Sequence, residues 1–310
     1  MPIFRLEDDK LIVAQETNIE LERHIEMWIE NSPWAVLQDE LVLWINRQAS
    51  AQDEEGTIFP DLLGVDSEGN LVIVEFKRGK TPRTVIAQLL EYAAWADDRS
   101  PEQIHDLADA YFDKRDEFRG KTFPEAFREV FDIPETDELP PLKRKLRLFV
   151  IAEEIQPRVA HVCRLLRRSY KMDVSCIAVS RFQTESGEEI VSTETKVGNE
   201  EIVTPKTRQQ LTAHPSRSAG DKPVNQVLWE AVQELTEKDT NVVFTQKNIL
   251  ERYSSFNANT LRRVIIQDCA NRPAPNNNII INPDGKYWWI ARGEYRLYDP
   301  EKDKSQKNNG

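Results

Sequence analysis

The chain has 310 residues, 39% hydrophobic and 30% charged, with a net charge of -12, three cysteines and four histidines. That length predicts about two domains, and no run approaches the length of a membrane-spanning helix. The acidic stretch from Met1 to Asp9 lacks the apolar core of a secretory signal. Cys163, Cys176 and Cys269 are odd in number and have no paired metal spacing, which predicts reduced thiols in a cytoplasm. His24, His105, His161 and His214 form no ligand cluster, which argues against a zinc enzyme and against a histidine-based nuclease.

The first predicted element is a helix. Thr17-x-x-Glu20 has the form of a capping box, and Leu21, Ile25, Trp28 and Ile29 follow as an apolar stripe. Glu22 falls just past the edge of that stripe, where a carboxylate touches both core and cleft; Glu20 and Glu26 are the competing positions. Leu41 to Ile45 reads as a short buried strand or a helix end, running into Trp44-Ile45-Asn46-Arg47-Gln48. Arg47 suits either a phosphate or a core carboxylate.

The densest signal comes next. Phe59-Pro60-Asp61-Leu62-Leu63-Gly64-Val65 and Val72-Ile73-Val74-Glu75-Phe76-Lys77 read as two strands joined by the turn Asp66 to Asn70. Side chains alternate along a strand, so Glu75 and Lys77 share a face with Phe76 opposite, and Asp61 reaches the same place from the partner strand. Two carboxylates and one ammonium converging there suit a divalent metal site for phosphodiester hydrolysis. Thr81 then caps a predicted helix with Pro82 at its first position, continued by Val85, Ile86, Leu89, Leu90 and Ala93. Gln88 and Tyr92 lie one turn apart on it.

These residues carry a resemblance. Pro-Asp, a gap, then Glu-x-Lys resembles the PD-(D/E)xK nuclease superfamily, and the Gln88-x-x-x-Tyr92 helix resembles its RecB-like and NucS-like branches. The likeness to the NucS-like nuclease domain runs from about Ile19 to Val197, with Glu22 matching a helix glutamate and Trp44 to Gln48 a strand ending in Arg-Gln. It implies an α/β fold, a restriction-endonuclease-like mixed sheet flanked by helices. It also implies a metal-dependent DNA endonuclease in which Asp61 and Glu75, with Glu22, ligate Mg2+ or Mn2+. Lys77 would stabilise the transition state, and Gln88 and Tyr92 would position the strand or the lysine. Dimerisation to cut both strands, and membership of a larger repair or anti-phage defence complex, are further implications. A catalytically silent DNA-binding or scaffolding module is the competing class, and an RNase a third. No ATP-binding Gly-x-x-x-x-Gly-Lys-Ser/Thr motif is present, so any energy-coupled step needs another chain.

The rest of the first domain, 1–203, continues the α/β pattern. A helical, acid-rich insertion at about 97–145 contains Phe123 to Phe127 and ends in Pro140-Pro141; its helices are expected on one side of the core. Leu146 to Ala152 is a strand, Pro157 to Tyr170 a helix and Asp173 to Val179 a strand, which predicts a crossover extending a mixed sheet. Phe182 to Thr195 reads as a strand pair around Ser186-Gly187.

A linker is predicted over 204–222, and a second domain over 223–300. Val224 to Leu235 is a helix, Thr245 caps a second, and Leu261 to Cys269 is a third. Asn278 to Ile281 and Tyr287 to Ile290 read as a hairpin across Pro283-Asp284-Gly285. Three helices and a wing-like hairpin predict a small C-terminal winged-helix-like α+β domain, with Asn259, Thr260, Arg262 and Arg263 facing the major groove and Thr245, Lys247 and Arg272 holding phosphates. Its ending, Gly293 to Tyr298, loosely resembles small C-terminal modules of restriction and defence proteins; a protein-interaction domain is the alternative. Residues 301–310 read as a disordered tail.

The charge is uneven. Residues 1–203 carry a net of about -16, while 223–300 are neutral and the linker is +3. Bound cations offset acidity at a metal site, and DNA contact needs focused basic patches instead. Lys77, Arg78, Lys80 and Arg83 form one beside the motif; Arg158, Arg164, Arg167, Arg168 and Lys171 form another on a helix.

Overall fold

The computed structural model describes residues 3–37, 40–47, 59–143, 145–198, 223–253, 256, 258–272, 282 and 285–307. The first domain is built on an eight-stranded mixed sheet flanked by helices. Its centre is β3 (Val42–Arg47), β4 (Leu62–Asp66), β5 (Leu71–Lys80), β6 (Leu146–Glu154) and β7 (Asp173–Gln183). β3, β4 and β5 pair antiparallel; β5, β6 and β7 pair parallel. β7 is also flanked by β8 (Glu189–Val197) and reaches β2 (Lys10–Thr17), whose partner is β1 (Ile3–Glu7).

Helices on both faces explain why β4, β5 and β6 are nearly continuous apolar runs. Along β5, Leu71 and Ile73 enter one core, while Val72, Val74 and Phe76 enter the other. The first core is covered by α2 (Val85–Asp97), α3 (Pro101–Phe112), α4 (Phe123–Phe131) and α5 (Pro157–Tyr170). The second is covered by α1 (Glu22–Asn31) through Ile25 and Ile29. The insertion thus packs on one side of the sheet, as its composition predicts. Gly64 lets β3 close onto β4: an added Cβ would strike Val42 and come within 2.7 Å of the Trp44 ring.

Two helix starts differ from the sequence reading. Thr17 ends β2, and its hydroxyl donates to the Arg181 carbonyl, so α1 begins at Glu22 with no side-chain cap. The pull of β7 on Thr17 outweighs the local box. Thr81 is buried and accepts the Gln156 N–H at 2.9 Å, tying the end of β5 to the β6–α5 connection; α2 starts later, after Thr84. The β1–β2 hairpin, turning through Asp8 and Asp9 at positive φ, has no counterpart in the sequence reading.

The carboxy-terminal module contains α6 (Val224–Leu235), α7 (Gln246–Arg252), α8 (Ala258–Gln267) and a separate antiparallel sheet of β9 (Phe244–Thr245), β10 (Tyr287–Ala291) and β11 (Glu294–Leu297). Thr245 caps α7, accepting the Asn248 N–H at 3.2 Å. β10 pairs with β11 across Arg292-Gly293, a hairpin the sequence did not announce. The anticipated strand at 278–281, like the linker 204–222, lies outside the described residues. The expected disordered tail is also corrected: Pro300–Lys307 is a helix, α9, held by Arg296, which grips the fully buried Asp303 with both terminal nitrogens at 2.5 and 2.8 Å. Among the described residues no helix is long and apolar enough to cross a membrane.

Candidate active site

The alternation of two strands builds the site. Asp61 extends the row of Leu63 and Val65 on β4, and Glu75 extends that of Leu71 and Ile73 on β5, so both carboxylates emerge on the α2 face. Asp61 Oδ2 accepts the Phe76 N–H at 2.7 Å, which fixes it against β5. Glu75 is 1% exposed. Its Oε1 accepts from Lys77 Nζ at 2.5 Å, and its buried Oε2 has no hydrogen-bond partner. Tyr92, also buried, comes down on this face from α2, and Gln88 sits half-buried one turn before it.

The electrostatics follow from crowding acids in a water-poor place. Burial, then the charge of Glu75, pushes the Asp61 carboxyl up to about 8, against the opposing pull of the Phe76 N–H and Lys77. Burial alone would lower Lys77, but its bond to Glu75 and the charges of Glu75, Asp61 and Glu22 outweigh it, so the ammonium is held above its ordinary value. Burial, with Glu75 and Asp61 behind it, pushes the Tyr92 hydroxyl up and keeps it protonated.

The strand that carries Lys77 is bulged just beyond it. Lys77 is opposite Ala152 and Lys80 opposite Glu154, so β5 holds one extra residue there, and Gly79 takes φ +66°. The bulge's two free N–H groups are both bound by carboxylates: Arg78 N–H to Glu22 at 2.6 Å and Gly79 N–H to Glu153 at 2.6 Å. Glu153 also accepts the Ile19 N–H at 3.2 Å, pinning the approach to α1. Glu22 comes from the helix on the opposite face of the sheet, which is why it meets the bulge rather than the Asp61–Glu75 pair. Among the described residues no group of three or more acid, histidine or cysteine side chains is assembled for a metal. Of the competing positions, Glu20 is exposed, whereas Glu26 adds its charge to Asp61.

Arg47 takes the carboxylate alternative. It binds Glu30 at 2.6 Å and Glu26 at 3.0 Å, and Glu30 is further held by Tyr111 and Arg115, each at 2.8 Å. Arg78 and Arg83 are exposed beside the site, and Lys80 faces Glu154 at 3.3 Å. In the second basic patch Arg167 is withdrawn: it is buried and paired with Asp173 at 2.8 Å.

In the module, Lys247 is exposed on α7. Arg262 is turned inward. Its Nε donates to Gln246 at 2.7 Å, and burial lowers it despite the surrounding Tyr295, Asp132 and Glu68. Arg263 donates to Gln267 at 3.0 Å. Arg272, expected to hold a phosphate, is 8% exposed and ion-paired with Asp132 of the first domain at 2.8 Å. The backbone of Asn259 lies in α8; its side chain is outside the described residues.

Sequence reasoning missed Glu153 and Glu30, the buried carboxylate that Arg47 binds. Glu153 follows the predicted strand Leu146 to Ala152 directly, but its role depends on β5 and β6 being parallel neighbours, which local pattern does not show. Comparison with protein-family models, curated proteins and solved structures returned no match to this chain.

Proposed function

We propose that the protein is a divalent-metal-dependent nuclease of the PD-(D/E)xK type that hydrolyses phosphodiester bonds in DNA. The observation that carries this reading is the pair Asp61–Glu75. Two carboxylates are held together at the cost of one staying protonated to about pH 8, and the buried Glu75 Oε2 lacks any donor. A small hard cation suits that donor set, because Mg2+ is commonly held by one or two carboxylates with water and substrate phosphate filling the other positions. Asp61 and Glu75 would hold Mg2+ or Mn2+, which when bound supplies Lewis acidity and an activated water.

The chain's own residues do the rest. Lys77 stays charged and lies at the mouth of the pair, suited to neutralise charge building on the scissile phosphate. Tyr92 stays protonated beside the pair, suited with Gln88 to position the strand or the lysine. Glu22 and Glu153 hold the bulge, and so the direction in which Lys77 leaves the strand. Arg78, Lys80 and Arg83 line the path a phosphate backbone would take.

The carboxy-terminal module supports a winged-helix reading: three helices, a three-stranded sheet and the β10–β11 hairpin in the place of a wing. A DNA-targeting role fits, as does action within a repair or defence complex or as a homodimer.

The test is cleavage of supercoiled plasmid and of labelled single-stranded, mismatched and branched DNA, with Mg2+, Mn2+ or EDTA. Metal-dependent cutting lost in Lys77→Ala supports the nuclease. Cutting that survives EDTA and the substitution overturns it. DNA bound but never cut favours the silent binding module.

A further inference from the structure

The face of α8 opposite the module's own core is not open. Leu261, Val264 and Ile265 point into the module. Ile266, on the same side of the helix as Arg262, is 0% exposed and packs in the core of the first domain. Around it runs a polar clamp centred on Asp132, which ends α4 in the left-handed conformation and is 3% exposed. Asp132 Oδ2 accepts the Tyr295 hydroxyl and the Gly293 N–H, the latter at 2.9 Å, while Oδ1 meets Arg272 at 2.8 Å. Arg272 also donates to the Tyr295 hydroxyl at 3.1 Å. Gly293, at φ +77°, lies so close that a Cβ there would sit 2.9 Å from Pro134. Arg292 and Glu135 close the rim at 2.5 Å.

We propose that docking on the helical insertion masks a duplex-binding face of α8 carrying Arg262, so that docking of the module and binding of DNA by that face exclude each other. This rests on the winged-helix reading above. A helix read by its outer face needs that face in the major groove, and a buried Ile266 with an inward Arg262 cannot be there. Undocking exposes Ile266, Arg262 and Arg272 together, an apolar centre flanked by two guanidinium groups. The affinity for duplex is then scaled by the fraction of chains that are undocked. Asp132 is the strongest lever, because removing one member of a buried, hydrogen-bonded ion pair leaves the other uncompensated.

The experiment uses the full chain in EDTA, so that no cleavage is required. Spin labels at Val162→Cys on α5 and Val227→Cys on α6, both exposed positions, report the distance between domain and module. Fluorescence anisotropy reports affinity for a duplex. Asp132→Ala is expected to lengthen the distance and tighten duplex binding by about tenfold or more. Arg292→Glu, a rim change that does not threaten folding, should give a smaller shift of about two- to fivefold, reversed when Glu135→Arg is added. Arg262→Ala in the Asp132→Ala background should abolish the gain. Release without tighter binding, a gain that survives Arg262→Ala, or duplex binding that leaves the distance unchanged would each overturn the proposal. Absence of cleavage when the same proteins are given Mg2+ or Mn2+, with all of these results intact, would instead count against the nuclease reading alone.

Discussion

Asp61→Asn separates the function of the site from the stability of the fold. Asp61 is held protonated from its ordinary 3.8 up to about 8. Between those values the native state binds a proton that the unfolded state has released. Stability therefore falls as pH rises through that window and levels off above about pH 8. At about 1.4 kcal/mol per pH unit, a window of roughly four units sets an upper limit of roughly 5–6 kcal/mol. Asp61 is only half-buried, and solvent reaching it reduces this to about 2–3 kcal/mol. The amide oxygen of Asn still accepts the Phe76 N–H and brings no charge to Glu75. Urea unfolding in EDTA from about pH 3 to pH 9 should show the two proteins converging at the acid end, below the ordinary value of 3.8. At pH 9 the variant should be more stable by about 2–3 kcal/mol, roughly 4–10 °C in Tm. The difference curve cancels the titrating groups that do not face Asp61, leaving Asp61 with its neighbours Glu75 and Lys77. A flat difference curve, or a variant less stable at pH 9, would refute the reasoning. The same variant should lose metal-dependent activity, as expected of a site whose function is opposed to stability.

Three other outcomes follow from the same geometry. Lys77→Ala should lower the cleavage rate by about 10²–10³-fold while far-ultraviolet circular dichroism stays unchanged. Arg147→Met strips the half-buried guanidinium that joins the buried Glu40 and Asp66 to Asp173, and should cost about 3 kcal/mol in denaturant unfolding. Gly64→Ala should cost about 1–3 kcal/mol by pushing β3 away from β4 through Val42 and Trp44, measured by thermal unfolding.

The parts of the fold governed by short-range pattern were legible in the sequence. Pro157–Tyr170 and Val224–Leu235 stand at their expected limits, because Pro at a first helical turn and an unbroken apolar stripe are local signals. Asp61, Glu75 and Lys77 were found by strand alternation alone. What escaped is set by partners far along the chain. Thr17 bonds Arg181 across 164 residues, and that contact decides that it ends a strand. The hairpin of Ile3–Glu7 and Lys10–Thr17 turns on two aspartates at positive φ, where Asn-Gly or Asp-Gly would have been the readable signal. Arg272 reads as a phosphate ligand and Arg262 as a major-groove residue because nothing nearby in sequence announces Asp132, more than a hundred residues earlier, as their neighbour.

The most direct test of the central claim is cleavage of a DNA carrying one phosphorothioate, with a non-bridging oxygen of the scissile phosphate replaced by sulfur. If Asp61 and Glu75 hold a metal against that phosphate, cutting should be slow with Mg2+, recover with the softer Mn2+, and vanish in Asp61→Ala and Glu75→Ala with either metal. Cleavage equally fast in Mg2+, Mn2+ and EDTA, or persisting in both variants, would contradict a carboxylate-held metal at this site.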